Sequence, residues 1–251
     1  MNPEAAAAEL RQLLADRADP GFAVSMQRYF RTPVPALGVN NGAVTGLARS
    51  WLAERPDLSP VDRLAIAHTL VEQSKHHEET LAGYALLYGI AGRRLGGELL
   101  DHARVWLDLH VTNWAQCDDL CLKVLHPYLL AHLDEIPRTR EWLDGGPWAR
   151  RAANVALVKL VRRRVGKEVY ELPLTHVFDN CTVLMADDEH YVQKGVGWLL
   201  KVTAREHPRA VGEYLRAWHP RMRRDTFRYA LEGMGADDRR ALMALYGGAR
   251  A

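Results

Sequence analysis

A tryptophan and an aspartate four residues apart are the pair in this chain whose types and spacing best suit catalysis. Trp114 and Asp118 lie in the stretch Val-Thr-Asn-Trp-Ala-Gln-Cys-Asp-Asp-Leu, residues 111–120. Residues four apart share one face of a helix, so an indole and a carboxylate would lie side by side there. Asp119 would point about 100° away from that face. The structural alternative is a core tryptophan next to a solvated acidic pair, Asp118 and Asp119.

Two other groups of reactive side chains are better explained by structural roles. Residues 75–79, Lys-His-His-Glu-Glu, lack the His-Glu-x-x-His spacing of zinc hydrolases, and we interpret them as an exposed polar helix end. The three cysteines are too few for a disulfide framework, and Cys-x-x-x-Cys is not a standard zinc spacing. Reduced, partly buried thiols are therefore expected at Cys117, Cys121 and Cys181.

The formal net charge of +2 conceals a division along the chain. Residues 1–137 hold 12 Lys and Arg against 17 Asp and Glu, which gives −5, whereas residues 138–251 hold 21 against 14, which gives +7. A basic half is typical of proteins that bind a polyanion such as DNA. The alternative is that residues 162–164 end a helix, where cations complement the helix dipole, and that residues 221–224 form a solvated face.

The elements that must position these side chains are predicted to be helices throughout. Apolar residues recur at spacings of three and four, as in Leu10, Leu13 and Leu14, and no segment shows the alternating pattern of a strand. Helix breakers divide the chain into a dozen or so segments, at Pro20, Pro33, Pro35, Pro56, Pro60, Gly96-Gly97, Pro137, Gly145-Gly146-Pro147, Pro173, Pro208 and Pro220. The fold class predicted is all-α.

An internal repeat predicts how these helices pack. Aligned at a separation of 43, residues 148–153 and 191–196 share the order aromatic, apolar, polar, basic, small, small, and Leu157 aligns with Leu200. That period falls in the roughly 40–47 residue range of HEAT and armadillo units. We therefore expect a curved α-solenoid of HEAT-like repeats with an extended concave binding surface, forming a single domain over residues 1–251.

Composition excludes several classes of protein. Hydrophobic residues make up 48% and charged residues 25%, the balance of a globular protein rather than a disordered or collagenous one. No run of eighteen apolar residues exists, and no basic flank precedes an apolar stretch at the N-terminus. We expect a cytoplasmic protein without a membrane partner.

Four blocks of residues together carry a resemblance to a known family. They are Arg28-Tyr29-Phe30 with Leu37-Gly38-Val39, then Trp114 with Asp118, then Trp-Ala-Arg-Arg-Ala-Ala at 148–153, and Gln-Lys-Gly-Val-Gly-Trp at 193–198. In this order and spacing, over about residues 25–235, the chain resembles the AlkD family of HEAT-like-repeat bacterial DNA glycosylases, which excise alkylated purines.

The resemblance implies roles for individual residues. Asp118 corresponds to the catalytic aspartate, Trp114 and Trp198 to the two functional tryptophans, and Arg151 to the functional arginine, which would grip a phosphate beside the lesion. Tyr29 either lines the same cleft or packs an N-terminal helix. Basic residues close to these blocks are candidates for further phosphate contacts, namely Lys159, Lys194 and Lys201.

The resemblance also implies an activity. The enzyme would be monomeric and without cofactor or metal, and would hydrolyse the N-glycosidic bond of cationic N3- or N7-alkylated purines in double-stranded DNA without deep base flipping. The sequence departs from the family pattern at two positions. Relatives often carry two consecutive tryptophans before an Asp-x-x-Asp pattern, whereas Asn113 precedes the single Trp114 and Ala115 takes the place of the first acid.

Two alternatives stay open at this point. One is a non-catalytic HEAT-like scaffold that binds nucleic acid or protein, although such a scaffold has no need for an acid beside a phosphate-binding surface. The other is a glycosylase specialised for the bulky adducts of a genotoxic natural product, which would serve self-resistance.

Overall fold

The computed structural model describes residues 1–246, which are built almost wholly of helices. Fifteen α-helices occur among these residues: α1 Pro3–Ala15, α2 Pro20–Met26, α3 Asn41–Ala53, α4 Pro60–Glu72, α5 His77–Leu87, α6 Ala91–Arg94, α7 Glu98–Val105, α8 Trp114–Asp119, α9 His126–Ala131, α10 Pro147–Val155, α11 Leu174–Val183, α12 His190–Glu206, α13 Pro208–Trp218, α14 Arg224–Leu231 and α15 Ala236–Met243. The prediction of an all-α fold is confirmed.

Shorter helical segments connect or extend these elements. The 3-10 helices are Gln27–Tyr29, Leu133–Asp144, His219–Arg221 and Ala244–Tyr246. Wider π-helical turns continue α7 over Trp106–His110 and α8 over Leu120–Leu125. The second π-helical segment leads directly into α9, so α8 and α9 form one continuous helical run.

Prolines begin helices, as their fixed φ angle favours. Five helices have proline as their first residue, where the missing N–H would have no partner in any case: α1, α2, α4, α10 and α13. Ser59 precedes α4 and forms a capping box with Asp62, each accepting from the other's backbone N–H. The predicted breaks at Pro20, Pro60 and Pro208 are thereby confirmed.

Two compact units divide the chain, residues 1–136 and 137–251. In the first, α5 packs on α3, α4 and α8, and every residue of α5 is buried. This boundary coincides with the division in charge, since the first unit holds 12 basic and 17 acidic residues and the second 21 and 14. The expectation of a single domain over residues 1–251 stays a prediction.

In the second unit, α12 packs between α10 and α14. The rings of Trp148 on α10 and Tyr191 on α12 lie 5.3 Å apart between centroids, and these are the residues that open the two aligned repeats. Gly195 allows the close approach, because a Cβ there would lie 3.3 Å from the carbonyl oxygen of Arg151. The predicted stacking of the two aligned segments is therefore confirmed.

Residues 162–171 overturn two sequence-based expectations. They form an antiparallel hairpin, β1 Arg162–Val165 and β2 Glu168–Glu171, rather than the end of a helix, and so the described chain does contain strands. The pattern was missed because both faces of this hairpin are largely exposed, so its sequence does not alternate between apolar and polar residues.

The three cysteines lie in the core as free thiols. Cys117, Cys121 and Cys181 are buried and unbridged, and burial raises the pKa of the Cys181 thiol.

Within residues 1–246, no helix has both the length and the apolar character needed to cross a bilayer.

A matched pair of glycine substitutions tests the packing of the first unit. A Cβ at Gly92 on α6 would lie 2.3 Å from the carbonyl oxygen of Pro127 on α9, so Gly92→Ala must separate these helices and should lower the stability by about 1–3 kcal/mol. Gly46, within α3, has open space at its Cβ position, and Gly46→Ala should raise stability by about 0.5–1 kcal/mol. Thermal unfolding followed by circular dichroism measures both, and equal effects of the two substitutions would contradict the packing described.

Candidate active site

Asn113 determines where the helix with the candidate catalytic pair begins. Its side-chain oxygen accepts from the backbone N–H groups of Ala115 and Gln116, both at 3.1 Å, which makes it the N-cap of α8. Asn113 is 4% exposed, and its amide nitrogen lies 3.3 Å from Nδ1 of His77 on α5. Asn113 thus caps α8 and ties it to the buried helix α5.

Trp114 is the first residue of α8, and its indole is held by the N-terminal segment. The indole N–H donates to the backbone carbonyl of Tyr29 at 3.1 Å. The ring of Phe30 lies 5.9 Å from that of Trp114 between centroids. Trp114 is half-buried, so one part of the indole is fixed by contacts while another part meets solvent.

The adjacent acids Asp118 and Asp119 have different environments. Asp119 is buried, accepts from the hydroxyl of Tyr88, and forms an ion pair with Lys123 at 2.5 Å. Burial and the charge of Asp119 both raise the pKa of Tyr88. Asp118 is half-buried and lies one helical turn after Trp114. The alternative of a solvated acidic pair is therefore wrong for Asp119.

The interpretation of residues 75–79 as an exposed helix end is also wrong. Glu78 is fully buried, and its carboxylate accepts from the backbone N–H groups of Leu37, Gly38 and Val39 at 2.9, 2.7 and 3.1 Å. Glu79, also buried, accepts from the side chain of Arg11. Sequence alone could not show this, because the N–H donors lie about forty residues away along the chain.

Gly38 explains the Leu-Gly-Val block in physical terms. Its φ of 83° lies in the left-handed region, and a Cβ would come within 2.0 Å of the carbonyl oxygen of Asp19. Only glycine fits this turn. Glu78 and Gly38 together fix the segment that follows Tyr29 and Phe30.

His77 lies between this N-terminal segment and α8. Its ring contacts that of Phe30 edge-on at 5.8 Å between centroids, and its backbone N–H donates to the carbonyl of Pro35 at 2.8 Å. Burial lowers the pKa of His77, although the charges of Glu78 and Asp119 act in the opposite direction. The neutral imidazole can then accept a hydrogen bond from the Asn113 amide through Nδ1.

A cavity of about 200 Å³ opens beside Trp114 within the first unit. Most of its lining is aromatic or apolar, and two asparagines and a histidine add polar groups; the lining residues are Phe22, Met26, Tyr29, Phe30, Val39, Asn40, Asn41, His77, Trp114 and Ala115. Tyr29 is 60% exposed and lines this cavity rather than packing in the core.

The second unit presents a stripe of aromatic and basic side chains along α12. Tyr191, Lys194, Trp198 and Lys201 are all half-buried and recur at spacings of three and four, so they share one helix face. The ammonium groups of Lys194 and Lys201 lie 5.3 and 4.7 Å from the ring centre of Tyr229. Lys201 also pairs with Glu232 at 2.6 Å. We call these four residues the α12 stripe.

Arg151 and Lys159 lie elsewhere in the second unit. Arg151 on α10 is 4% exposed, and its guanidinium donates to the backbone carbonyl of Tyr191 at 2.7 Å, which ties α10 to the α12 stripe. Lys159 is exposed, in the turn that follows α10.

The structure therefore groups the predicted residues by unit. In the first unit it brings Tyr29 together with Trp114, and it places Asp118 on the same helix face as Trp114. In the second unit it brings Arg151 against the α12 stripe. Sequence reasoning missed the residues that hold these groups, namely Asn113, His77 and Glu78. For Asn113 a signal existed, since asparagine directly before a helix is a typical N-cap.

Comparison with known proteins agrees with this architecture. Residues 10–234 match the family model described as "DNA alkylation repair enzyme". A solved structure described as a predicted DNA alkylation repair enzyme from Enterococcus faecalis is similar with a TM-score of 0.73 and 18% sequence identity, covering 87% of this chain and 97% of that one. At this identity the likeness to the solved structure shows the fold alone. No match is found among curated proteins.

The lowered pKa of His77 predicts how stability depends on pH. The unfolded chain takes up a proton near pH 6.5, whereas the folded protein does so only at lower pH, so stability is lost as the pH falls below about 6.5. His77→Gln removes this titration. The melting temperature of the variant should therefore fall less than that of the wild type between about pH 7.5 and 5.5. Parallel pH dependence in the two proteins would contradict the role of His77 as a buried neutral acceptor.

Proposed function

Because this chain belongs to the DNA alkylation repair enzyme family, we propose that it is a monofunctional DNA glycosylase that hydrolyses the N-glycosidic bond of N3- or N7-alkylated purines. The observation that carries the proposal is the face of α8, on which a half-buried carboxylate follows a fixed indole by one helical turn. The neighbouring acid, Asp119, is occupied in the core by Tyr88 and Lys123.

The chemistry of the substrate defines what such a carboxylate has to do. A purine alkylated at N3 or N7 is cationic and already a good leaving group, so it needs little protonation. The barrier lies in the positive charge that develops on the sugar as the bond breaks. Asp118 would stabilise that charge and help a water molecule to attack the anomeric carbon, as carboxylates do in glycoside hydrolysis.

The tryptophans suit the other parts of the damaged nucleotide. Their flat faces can pack on deoxyribose, and their electron-rich rings favour a cationic nucleotide. The indole of Trp114 keeps a fixed orientation through its hydrogen bond to Tyr29, so little reorganisation is needed when DNA binds. Trp198, half-buried on the α12 stripe, would offer the second such surface.

Cations in the second unit would hold the DNA backbone. A guanidinium has bidentate geometry suited to phosphate, and Arg151, whose guanidinium also donates to the backbone of Tyr191, would make such a contact. Lys194 and Lys159 would add phosphate contacts. Lys201 would contact DNA by exchanging its present partner, Glu232, for a phosphate.

The environment of Lys123 favours hydrolysis without strand cleavage. A glycosylase that cleaves the strand uses an amine nucleophile in its neutral form. Lys123 is the lysine nearest to Asp118 along the chain, and its ammonium group is paired with the buried Asp119. The ammonium group is thereby engaged by Asp119. The expected products are an abasic site and a free alkylpurine.

Replacing the carboxylate tests this proposal directly. Asp118→Asn should slow release of 7-methylguanine from alkylated DNA at least about 100-fold, while the affinity for DNA stays nearly unchanged. Asp57→Asn, an exposed acid outside the helices, makes the same change in charge and serves as the control. Single-turnover excision by the wild type and both variants is the measurement. Equal rates for all three would remove Asp118 from the mechanism.

Arg151 is tested through the salt dependence of binding. Arg151→Gln should reduce the slope of log Kd against log salt concentration by about 0.9, the contribution of one phosphate contact. Arg209→Gln, an exposed position on α13, is the control for the change in net charge. If the slope of the Arg151 variant equals that of the wild type, the arginine only joins α10 to α12.

A further inference from the structure

The hairpin of β1 and β2 is anchored at its base in the core of the second unit. The backbone N–H of Leu172 donates to the carbonyl of Val161 at 3.1 Å, and both side chains are buried. At the same end, Arg162 pairs with Glu171 across the strands at 3.4 Å and with Glu206 on α12 at 3.7 Å. The charge of Arg162 is thereby neutralised within the protein.

Beyond this base, both faces of the hairpin meet solvent. Of the eight strand residues, only Val165 and Tyr170 are half-buried, and the other six are exposed. The two-residue loop places Gly166 at a φ of 62°, in the left-handed region that tight hairpin loops use. A two-stranded hairpin is marginally stable by itself in water, and two half-buried side chains add little packing, so burial alone does not explain this element.

Cations occupy both faces of the exposed part. Arg163 lies opposite Tyr170 and Arg164 opposite Val169, so the two guanidinium groups project from opposite faces, and Lys167 lies in the loop. The guanidinium of Arg164 donates to the carbonyl of Gly166 at 3.2 Å. Among the ion pairs of residues 1–246, none joins Arg163, Arg164 or Lys167 to a carboxylate.

We propose that this hairpin binds double-stranded DNA as a ribbon in a groove, with Arg163, Arg164 and Lys167 on phosphates of the two backbones that border it. The major groove is wide enough to admit a two-stranded ribbon. Cations on both faces match a groove, which has a phosphate backbone on each side, whereas a single flat phosphate surface would need them on one face only. This contact is separate from the α12 stripe and rests on the proposed function only in taking DNA as the ligand.

The hairpin contributes to affinity and not to the chemical step. Its contacts with phosphate are independent of base sequence and of damage, so they act equally on intact and alkylated DNA. Loss of the cations should therefore weaken binding while the single-turnover rate of excision at saturating enzyme stays unchanged.

The test neutralises the three cations together. For Arg163→Gln/Arg164→Gln/Lys167→Gln, the slope of log Kd against log salt should fall by about 2 to 3 on a short undamaged duplex, close to 0.9 for each phosphate that the variant no longer neutralises. The matched control, Arg205→Gln/Arg209→Gln/Arg216→Gln, removes the same charge from exposed positions of α12 and α13. The variant Arg163→Lys/Arg164→Lys should keep the wild-type slope, because an ammonium group also pairs with phosphate.

A single-stranded oligonucleotide of the same length has no groove, and on it the triple hairpin variant should lose less affinity than on the duplex. An unchanged slope, a loss equal to that of the control triple, or an equal loss on single strands would overturn the proposal. The binding measurement uses undamaged DNA and needs no excision. If the wild type binds duplex but releases no base, the glycosylase proposal fails while the hairpin is still tested by its own slope.

Discussion

A buried contact between the side chains of Asn113 and His77 fixes the position of α8 relative to α5. Asn113 caps α8 and at the same time reaches α5, the helix whose every residue is buried. Movement of α8 would leave these polar atoms unpaired in the core, at a cost of about 1–3 kcal/mol for each. The indole N–H of Trp114 also donates to the backbone carbonyl of Tyr29. The chain that follows Tyr29 is held in turn by Glu78, whose carboxylate accepts from the backbone N–H of Gly38. Electrostatic catalysis depends on charges whose positions are fixed before the substrate arrives, and this network supplies such fixation.

Residues of the same type that are adjacent in sequence differ in burial and therefore in the role they can have. Of two adjacent aspartates, Asp119 is buried and pairs with Tyr88 and Lys123, whereas Asp118 is half-buried. The two units of the chain also differ, in their net charge. The first unit, with a net charge of −5, carries the carboxylate, and the second, with +7, carries the cations proposed to hold DNA. A carboxylate repels phosphate, so in the proposed function the cations of the second unit would have to offset that repulsion.

Local sequence patterns predicted most of the helices, whereas contacts between residues distant along the chain could not be predicted from them. Apolar periodicity and proline positions predicted the helices, and the spacing of Trp114 and Asp118 predicted their shared face. Glu78 was misjudged because charged residues are seldom buried, and its three backbone donors come from a distant turn. The hairpin over residues 162–171 was missed because strands that are largely exposed on both faces carry no alternating apolar pattern.

The proposed function requires this family member to break a glycosidic bond rather than only to bind damaged DNA. It is tested most directly by incubating the wild-type protein with methylated duplex DNA and analysing the small-molecule fraction by chromatography with mass spectrometry. The proposed activity predicts free 7-methylguanine and 3-methyladenine, together with abasic sites in strands that stay intact until treated with alkali. Tight binding to the same DNA with no base released above the protein-free reaction would contradict it.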